Sequence, residues 1–329
     1  MCGIIALVGR PARRSSPTVA EIVQHLDAAI ASGRNMVDAT SHLVKVNELL
    51  KGVPGAVALI DNHELVSAMT SRLDQVAAMI ATIDEGLENS VADADELEQN
   101  AAALIALRDV TWSIGQDRLR TSRFVRDLAG RDAGIAAVAG YLTIQQAFSA
   151  LDRLEVRGRD SAGIHVFVWG HGLSANDPSV TSALSARAHD ALFQNRSVRF
   201  IDDTLSFVYK AAAEIGELGD NTKALRAAVQ EDDLLRLALS NPNARLSLVG
   251  HTRWASVGII SEPNAHPVNS EELEGKHDDA YLVAALNGDV DNHADIKVRN
   301  GLKIAEPITT DAKVIPTVVA RKNAAGADL

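Results

Sequence analysis

The chain has 329 residues, 47% of them hydrophobic, enough to build one large domain or two ordinary ones around packed cores. Its formal net charge of -11, from 43 acidic and 32 basic side chains, excludes the basic field that nucleic acid or an anionic membrane demands and points to a small-molecule substrate. One cysteine excludes a disulfide framework and a cysteine-rich zinc site, and no apolar run reaches the roughly 18 residues of a membrane span.

The start MCGIIALVGRPARR lacks the basic-then-apolar order of a secretory signal, so the cytoplasm is the expected compartment. The first predicted element is a buried strand over Gly3-Ile4-Ile5-Ala6-Leu7-Val8-Gly9, an apolar run with β-branched residues bounded by glycine. Cys2 stands at its start. A single cysteine is ordinarily a small buried apolar residue. At position 2 it has a second reading: removal of Met1, common before a small side chain, would leave a thiol and a free α-amine on one residue. An α-amine titrates at about pH 8, close to a thiol, so it can act as the base for its own side chain.

Ser16 followed by Pro17 predicts an N-cap and a first helical position, and Val19, Ile22, Val23, Leu26 and Ile30 recur at helical spacing. A long helix is predicted from Glu64 to Leu87, with Leu65, Met69, Leu73, Val76, Ile80, Ile83 and Leu87 on one stripe and Asp74, Gln75, Asp84 and Glu85 opposite. After an alanine-rich acidic stretch, Val110 to Leu128 carries Trp112, Leu119, Phe124 and Leu128. Residues 11–133 therefore read as a mostly helical insertion whose stripes pack as a bundle. Its acidic faces read as solvated, with oligomer contacts or regulation as the alternative.

Ile135 to Gly140 leads into a helix bearing Ile144, Phe148, Leu151 and Leu154, which delivers the motif LEVRGRDSAG over 154–163; Ile164 to Trp169 then reads as a strand. Residues 170–243 form an extended connection, loop-like at first and helically patterned around Phe207 to Leu239. Leu246 to Gly250 is a strand entering His251-Thr252-Arg253-Trp254-Ala255-Ser256-Val257-Gly258, and Asn264-Ala265-His266-Pro267 follows. Tyr281 to Leu286 is a further buried strand, ending in Asn287-Gly288-Asp289-Val290-Asp291-Asn292-His293, and Thr309-Thr310-Asp311 comes last.

Hydrolysis of a primary amide by a thiolate needs a nucleophile, donors for the oxyanion and a hold on the amino acid. Cys2 supplies the first. Asn287 and Gly288 at a strand end can present a side-chain and a backbone N–H, although Asn-Gly is also an ordinary turn. Arg253 can grip an α-carboxylate with its two-pronged guanidinium, or can simply pack on Trp254. Asp311 can receive an α-ammonium or cap a helix.

Taken together and in this order, Cys2-Gly3-Ile4, LEVRGRDSAG, HTRWA, NAHP, Asn287-Gly288 with Asn292-His293, and TTD resemble the glutaminase domain of the glutamine–fructose-6-phosphate aminotransferase (isomerising) family. The likeness covers residues 2–9 and, in blocks, 140–168 and 246–315. Related amidotransferases such as amidophosphoribosyltransferase share the cysteine and the Asn-Gly but look less similar around Arg157-Gly158 and Trp254.

The resemblance implies an α+β fold, the four-layer αββα arrangement of N-terminal-nucleophile glutaminases, built from residues 2–10 and 134–329 and incomplete at the C-terminus. It implies glutamine as substrate and no cofactor or metal. Ammonia would pass to a sugar phosphate acceptor on a further C-terminal region, converting fructose 6-phosphate to glucosamine 6-phosphate. It assigns the nucleophile and its amine base to Cys2, the oxyanion hole to Asn287 and Gly288, the glutamine carboxylate to Arg253 and the α-amino group to Asp311. A covering loop falls at Trp254, and Arg157 falls on an arginine near the nucleophile.

Three departures stand against it, the third being the end of the chain, past which the family domain is expected to continue with more strands. Ser256-Val257 replace a Thr-His pair, which removes one polar contact to the substrate carboxylate. Leu286 replaces a histidine, and Asp289 and Val290 an aliphatic pair. The insertion and the 170–243 connection have no family counterpart. Two other readings therefore remain, another class II amidotransferase or a non-catalytic amino-acid or partner-binding module of the same fold.

Overall fold

The structure, a computed structural model, describes residues 2–89, 93–185, 187–188, 190–212, 217–273 and 280–327. It divides into two units, one of Met1–Arg10 with Thr143–Leu329 and the other of Pro11–Leu142. Met1, whose removal the sequence reading invokes, lies outside the described residues.

The unit Pro11–Leu142 is helical: α1 (Val19–Ala31), α2 (Met36–Leu49), α3 (Gly52–Leu59), α4 (His63–Glu88), α5 (Ala94–Ser113), a π-helical stretch Ile114–Arg120, α6 (Thr121–Ala129) and the first part of α7 (Ile135–Leu154). The N-cap of α1 is Thr18, not Ser16: the Thr18 side chain accepts from the Glu21 N–H and the Glu21 carboxylate accepts from the Thr18 N–H. This reciprocal pair satisfies two otherwise orphaned donors, which a lone serine before proline does not match. The stripe of α4 packs with Ile22 and Leu26 of α1, Leu43 and Val46 of α2, and Leu104, Leu107 and Val110 of α5 in one core. Trp112, expected in that core, is 57% exposed. It lies two residues beyond Val110, about 200° round the helix from the buried side. Helix α7 begins at Ile135 and runs straight through Gly140.

In the other unit, β1 (Gly3–Val8), β2 (Ser161–Trp169), β3 (Val198–Ile201), β4 (Thr204–Ala211) and β5 (Arg245–Arg253) form an antiparallel sheet in the order β1-β5-β2-β4-β3. The helical patterning expected from Phe207 is therefore wrong as far as Ala211. Strand β4 is buried at nearly every position, so it lacks the polar–apolar alternation that marks a half-buried strand. Short α8 (Pro178–Ser185) precedes β3, while α9 (Asp220–Gln230) and α10 (Asp233–Leu239) follow β4.

One face of the sheet meets α9 and the end of α7. Leu151 and Leu154 lie against Gly250 and Gly3, and Arg226 of α9 donates to Gln145 of α7 at 2.6 Å. The other face meets the small pair β6 (Val268–Asn269) and β7 (Val283–Ala284). A side chain on Gly163 would come within 2.4 Å of the His266 carbonyl, so only glycine lets the segment before β6 lie this close to β2. Tyr281 to Leu286, expected as a buried strand, is strand only at Val283–Ala284 and is half-buried. Beyond α11 (His293–Arg299), α12 (Val314–Ala324) packs on β6 and β7. Lys313 anchors its start to β6, donating to the Asn269 carbonyl at 2.7 Å and to Asn269 Oδ1 at 2.9 Å. No helix among the described residues is long and apolar enough to cross a membrane.

Candidate active site

The register of β1 on β5 pairs Gly3 with Thr252, which sets Cys2 beside Arg253 and Trp254 at the strand end. Thr252 Oγ1 accepts from the Gly3 N–H at 3.2 Å and locks that register. The Cys2 sulfur is half-buried and accepts from the Trp254 N–H at 3.3 Å, a contact that strengthens when the thiol becomes a thiolate. The Cys2 nitrogen donates to Asn287 Oδ1 at 3.3 Å. With its oxygen turned to that nitrogen, Asn287 keeps its NH₂ donors for another acceptor. Asn287 and Gly288 are both exposed beside the cysteine.

Arg253 is buried, and its charge interacts with Cys2, Asp311 and Asp160. Burial lowers its pKa, and those three groups act in the opposite direction. Its guanidinium donates to the carbonyls of Val257 and of Ile259, the latter at 3.2 Å. The loop after Trp254 thus wraps around it. Gly258 makes the wrap feasible: its φ is +87°, and a side chain there would meet Thr309 and Thr310 at 2.9 Å. Asp311 is buried and accepts from the Val290 N–H at 2.6 Å, so its carboxylate caps the loop after Gly288 rather than a helix. Ser256 and Asp289, two of the residues that depart from the family pattern, hydrogen-bond to each other and join the Trp254 loop to the Asn287 loop.

Several residues given no role from sequence hold these parts in place. Asp160 accepts from the Ala255 N–H at 2.7 Å while its own N–H donates to the Arg253 carbonyl at 3.1 Å. His251 and His266, ring centroids 4.6 Å apart, grip the peptide groups of Leu286. His251 Nε2–H donates to the Leu286 carbonyl at 2.9 Å, and the Leu286 N–H donates to His266 Nδ1 at 3.4 Å. These partners give both rings the Nε2-protonated tautomer, and His266 Nε2–H donates to Thr310 Oγ1 at 3.1 Å. Burial pushes His251 down to about 4, helped by the Arg253 charge and opposed by the Leu286 hydrogen bond. Burial likewise holds His266 well below the usual histidine range. Both rings are neutral positioning groups. Their only sequence signal was membership of the HTRWA and NAHP segments.

Cys2, Arg253, Trp254, Asn287, Gly288 and Asp311 are therefore brought to one end of the sheet by β1, β5 and the loops after β7 and α11. Arg157 belongs to a turn that packs against the end of β5. It is exposed on the 3-10 turn Glu155–Arg157, with no hydrogen bond to Cys2, Arg253 or Asp311 among the described residues.

Two curated proteins match part of the chain. The glutamine–fructose-6-phosphate aminotransferase (isomerizing) of Mesorhizobium japonicum is 36% identical over 81 residues, covering 24% of this chain and 12% of that protein. The protein of the same name from Chlamydia caviae is 35% identical over 112 residues, covering 32% of this chain and 16% of its own length. The chain thus spans less than a fifth of the length of these relatives. No family model and no solved structure matches it.

Proposed function

We propose that this chain carries a glutamine-hydrolysing site of the N-terminal-nucleophile class, built on a four-layer αββα fold. The observation that carries the reading is the placement of the Cys2 sulfur against the Trp254 N–H, with the Cys2 nitrogen on Asn287 and with Arg253 and Asp311 among the neighbouring charges. Once Met1 is removed, the α-amine takes the thiol proton and the thiolate attacks the side-chain amide carbon of glutamine. The developing oxyanion is met by the Asn287 NH₂ and the Gly288 N–H. Collapse breaks the C–N bond, the α-ammonium returns its proton to the departing nitrogen, and ammonia leaves a γ-glutamyl thioester. Water then attacks the thioester, releasing glutamate and restoring the thiol.

Arg253 would hold the substrate carboxylate and Asp311 its ammonium, each exchanging a backbone partner for the ligand. In the intact enzyme the ammonia would pass to a sugar phosphate, as the relatives' name suggests for fructose 6-phosphate. A second reading has its own support: both substrate-holding side chains are already bonded to the chain itself, which fits a module that keeps the fold without the chemistry.

Intact mass before and after a reactive diazoketone analogue of glutamine separates the two, with Cys2→Ala as control. The catalytic reading expects loss of Met1 and a single adduct that requires Cys2. Retained Met1, or no adduct on the folded protein, overturns it in favour of the second.

A further inference from the structure

Helices α1 and α2 bring two imidazoles together within the helical unit. Nδ1 of His25 and Nδ1 of His42 are 3.2 Å apart, with ring centroids separated by 5.5 Å and planes inclined at 38°. Both residues are half-buried, so solvent reaches them. As a direct hydrogen bond the pair can share one proton. The same spacing suits a cation held by two lone pairs. With metal–nitrogen bonds of roughly 2.0–2.1 Å, two ligand nitrogens stand about 2.9 Å apart at a right angle and about 3.4 Å apart at the tetrahedral angle. The observed separation falls between these.

The surroundings of His42 point the same way. Asp38 Oδ1, one turn earlier on α2, is 3.9 Å from His42 Nε2 and favours the tautomer protonated there, which leaves the Nδ1 lone pair on the side of His25. Asp38 is itself held, since Ser32 Oγ donates to its Oδ2 at 2.6 Å and its N–H donates to Asn35 Oδ1 at 3.2 Å. A carboxylate held by Ser32 behind the imidazole, at ion-pair distance, stands on the side from which an outer carboxylate orients a metal-bound histidine.

We propose that His25 and His42 form a two-imidazole clamp for a transition-metal ion of the zinc, nickel or copper(II) type, tying α1 to α2. Imidazole nitrogen is the ligand these ions share. Glu21 is an electrostatic neighbour of His25, but its carboxylate is occupied by the Thr18 capping box. Among the described residues no group of three or more His, Cys, Asp or Glu converges on a metal position, so water completes the coordination and leaves the ion open to an outside ligand. Such a site binds less tightly than a closed four-ligand one.

The test is calorimetric titration of the full chain with zinc chloride, together with thermal unfolding with and without zinc. The Cys2→Ala background removes the lone thiol as a competing ligand. One zinc per chain is expected, with an unfolding midpoint several degrees higher once zinc exceeds its dissociation constant by about 100-fold. Both effects disappear in His25→Ala and His42→Ala, and Asp38→Asn weakens binding by about 10–100-fold. His42→Gln, close in size and still able to hydrogen-bond, serves if the alanine variants fail to fold. Absence of binding, or binding of equal affinity in the histidine variants, overturns the proposal.

Discussion

The peptide groups of Leu286 are held from both sides by neutral imidazoles, so the loop after β7 that presents Asn287 is aimed through its main chain. This grip uses no side-chain atom of residue 286. On the proposed reaction, Asn287→Ala takes away a side-chain donor to the oxyanion and should lower kcat for glutamine hydrolysis by about 10²–10³-fold, or ~3 kcal/mol of transition-state stabilisation. KM should change far less, which steady-state kinetics on the Cys2-competent protein would resolve. An unchanged kcat would return Asn287-Gly288 to an ordinary turn. Cys2, Arg253, Asn287 and Asp311 could be singled out in the sequence because each carries a functional group that the proposed amide hydrolysis would use. Asp160, His251 and His266 were not. They act by holding backbone groups that are adjacent only after β1, β2 and β5 have paired.

Among the elements, α10 shows how much rests on one cap. Asp232 is fully buried, accepts from the N–H groups of Leu234 and Leu235 at 3.1 Å and from the Tyr209 hydroxyl at 2.8 Å, and pairs with Arg187 through two N–H groups. Burial alone would raise its pKa. The hydrogen bonds and charge of Arg187, with Tyr209 and the Leu235 N–H, outweigh burial and lower it. A depressed carboxylate contributes stability that is complete above its unfolded value of about 3.9 and is lost as pH falls through its folded value. Asp232→Ala should therefore cost about 3–5 kcal/mol at neutral pH, read as a lower urea midpoint, with the gap to the parent closing in acid below the folded value. Helix α4 was readable because its stripe repeats over 26 residues with polar groups opposite. Strand β4 was not, because burial on both faces erases the alternation on which a strand prediction depends.

For the whole molecule, the helical unit has a core of its own, centred on residues such as Leu26, Leu43 and Met69. Leu43→Ala should cost about 2–5 kcal/mol and lower one of two calorimetric transitions while leaving the other in place. Labelling of Cys2 by the diazoketone should continue at the parent rate below that transition. A single transition that falls together with labelling would mean that the units unfold as one. The sequence boundary at 133 and the structural one at Leu142 differ because α7 crosses from one unit to the other without a break, and an uninterrupted helix carries no local signal of a domain edge.

The pairing of Gly3 with Thr252 spans 249 residues of chain. At a synthesis rate of roughly 5–20 residues per second, β5 leaves the ribosome about 12–50 s after β1, and the whole helical unit is made in the interval. During that time β1 is an apolar segment with nothing to pair against, and Cys2 has no Trp254 or Asn287 beside it. Cys2 is the first part of the candidate site to be synthesised and among the last to be placed. Early stalling or truncation of translation therefore yields chains with an intact cysteine and a folded bundle, but an open strand in search of a partner.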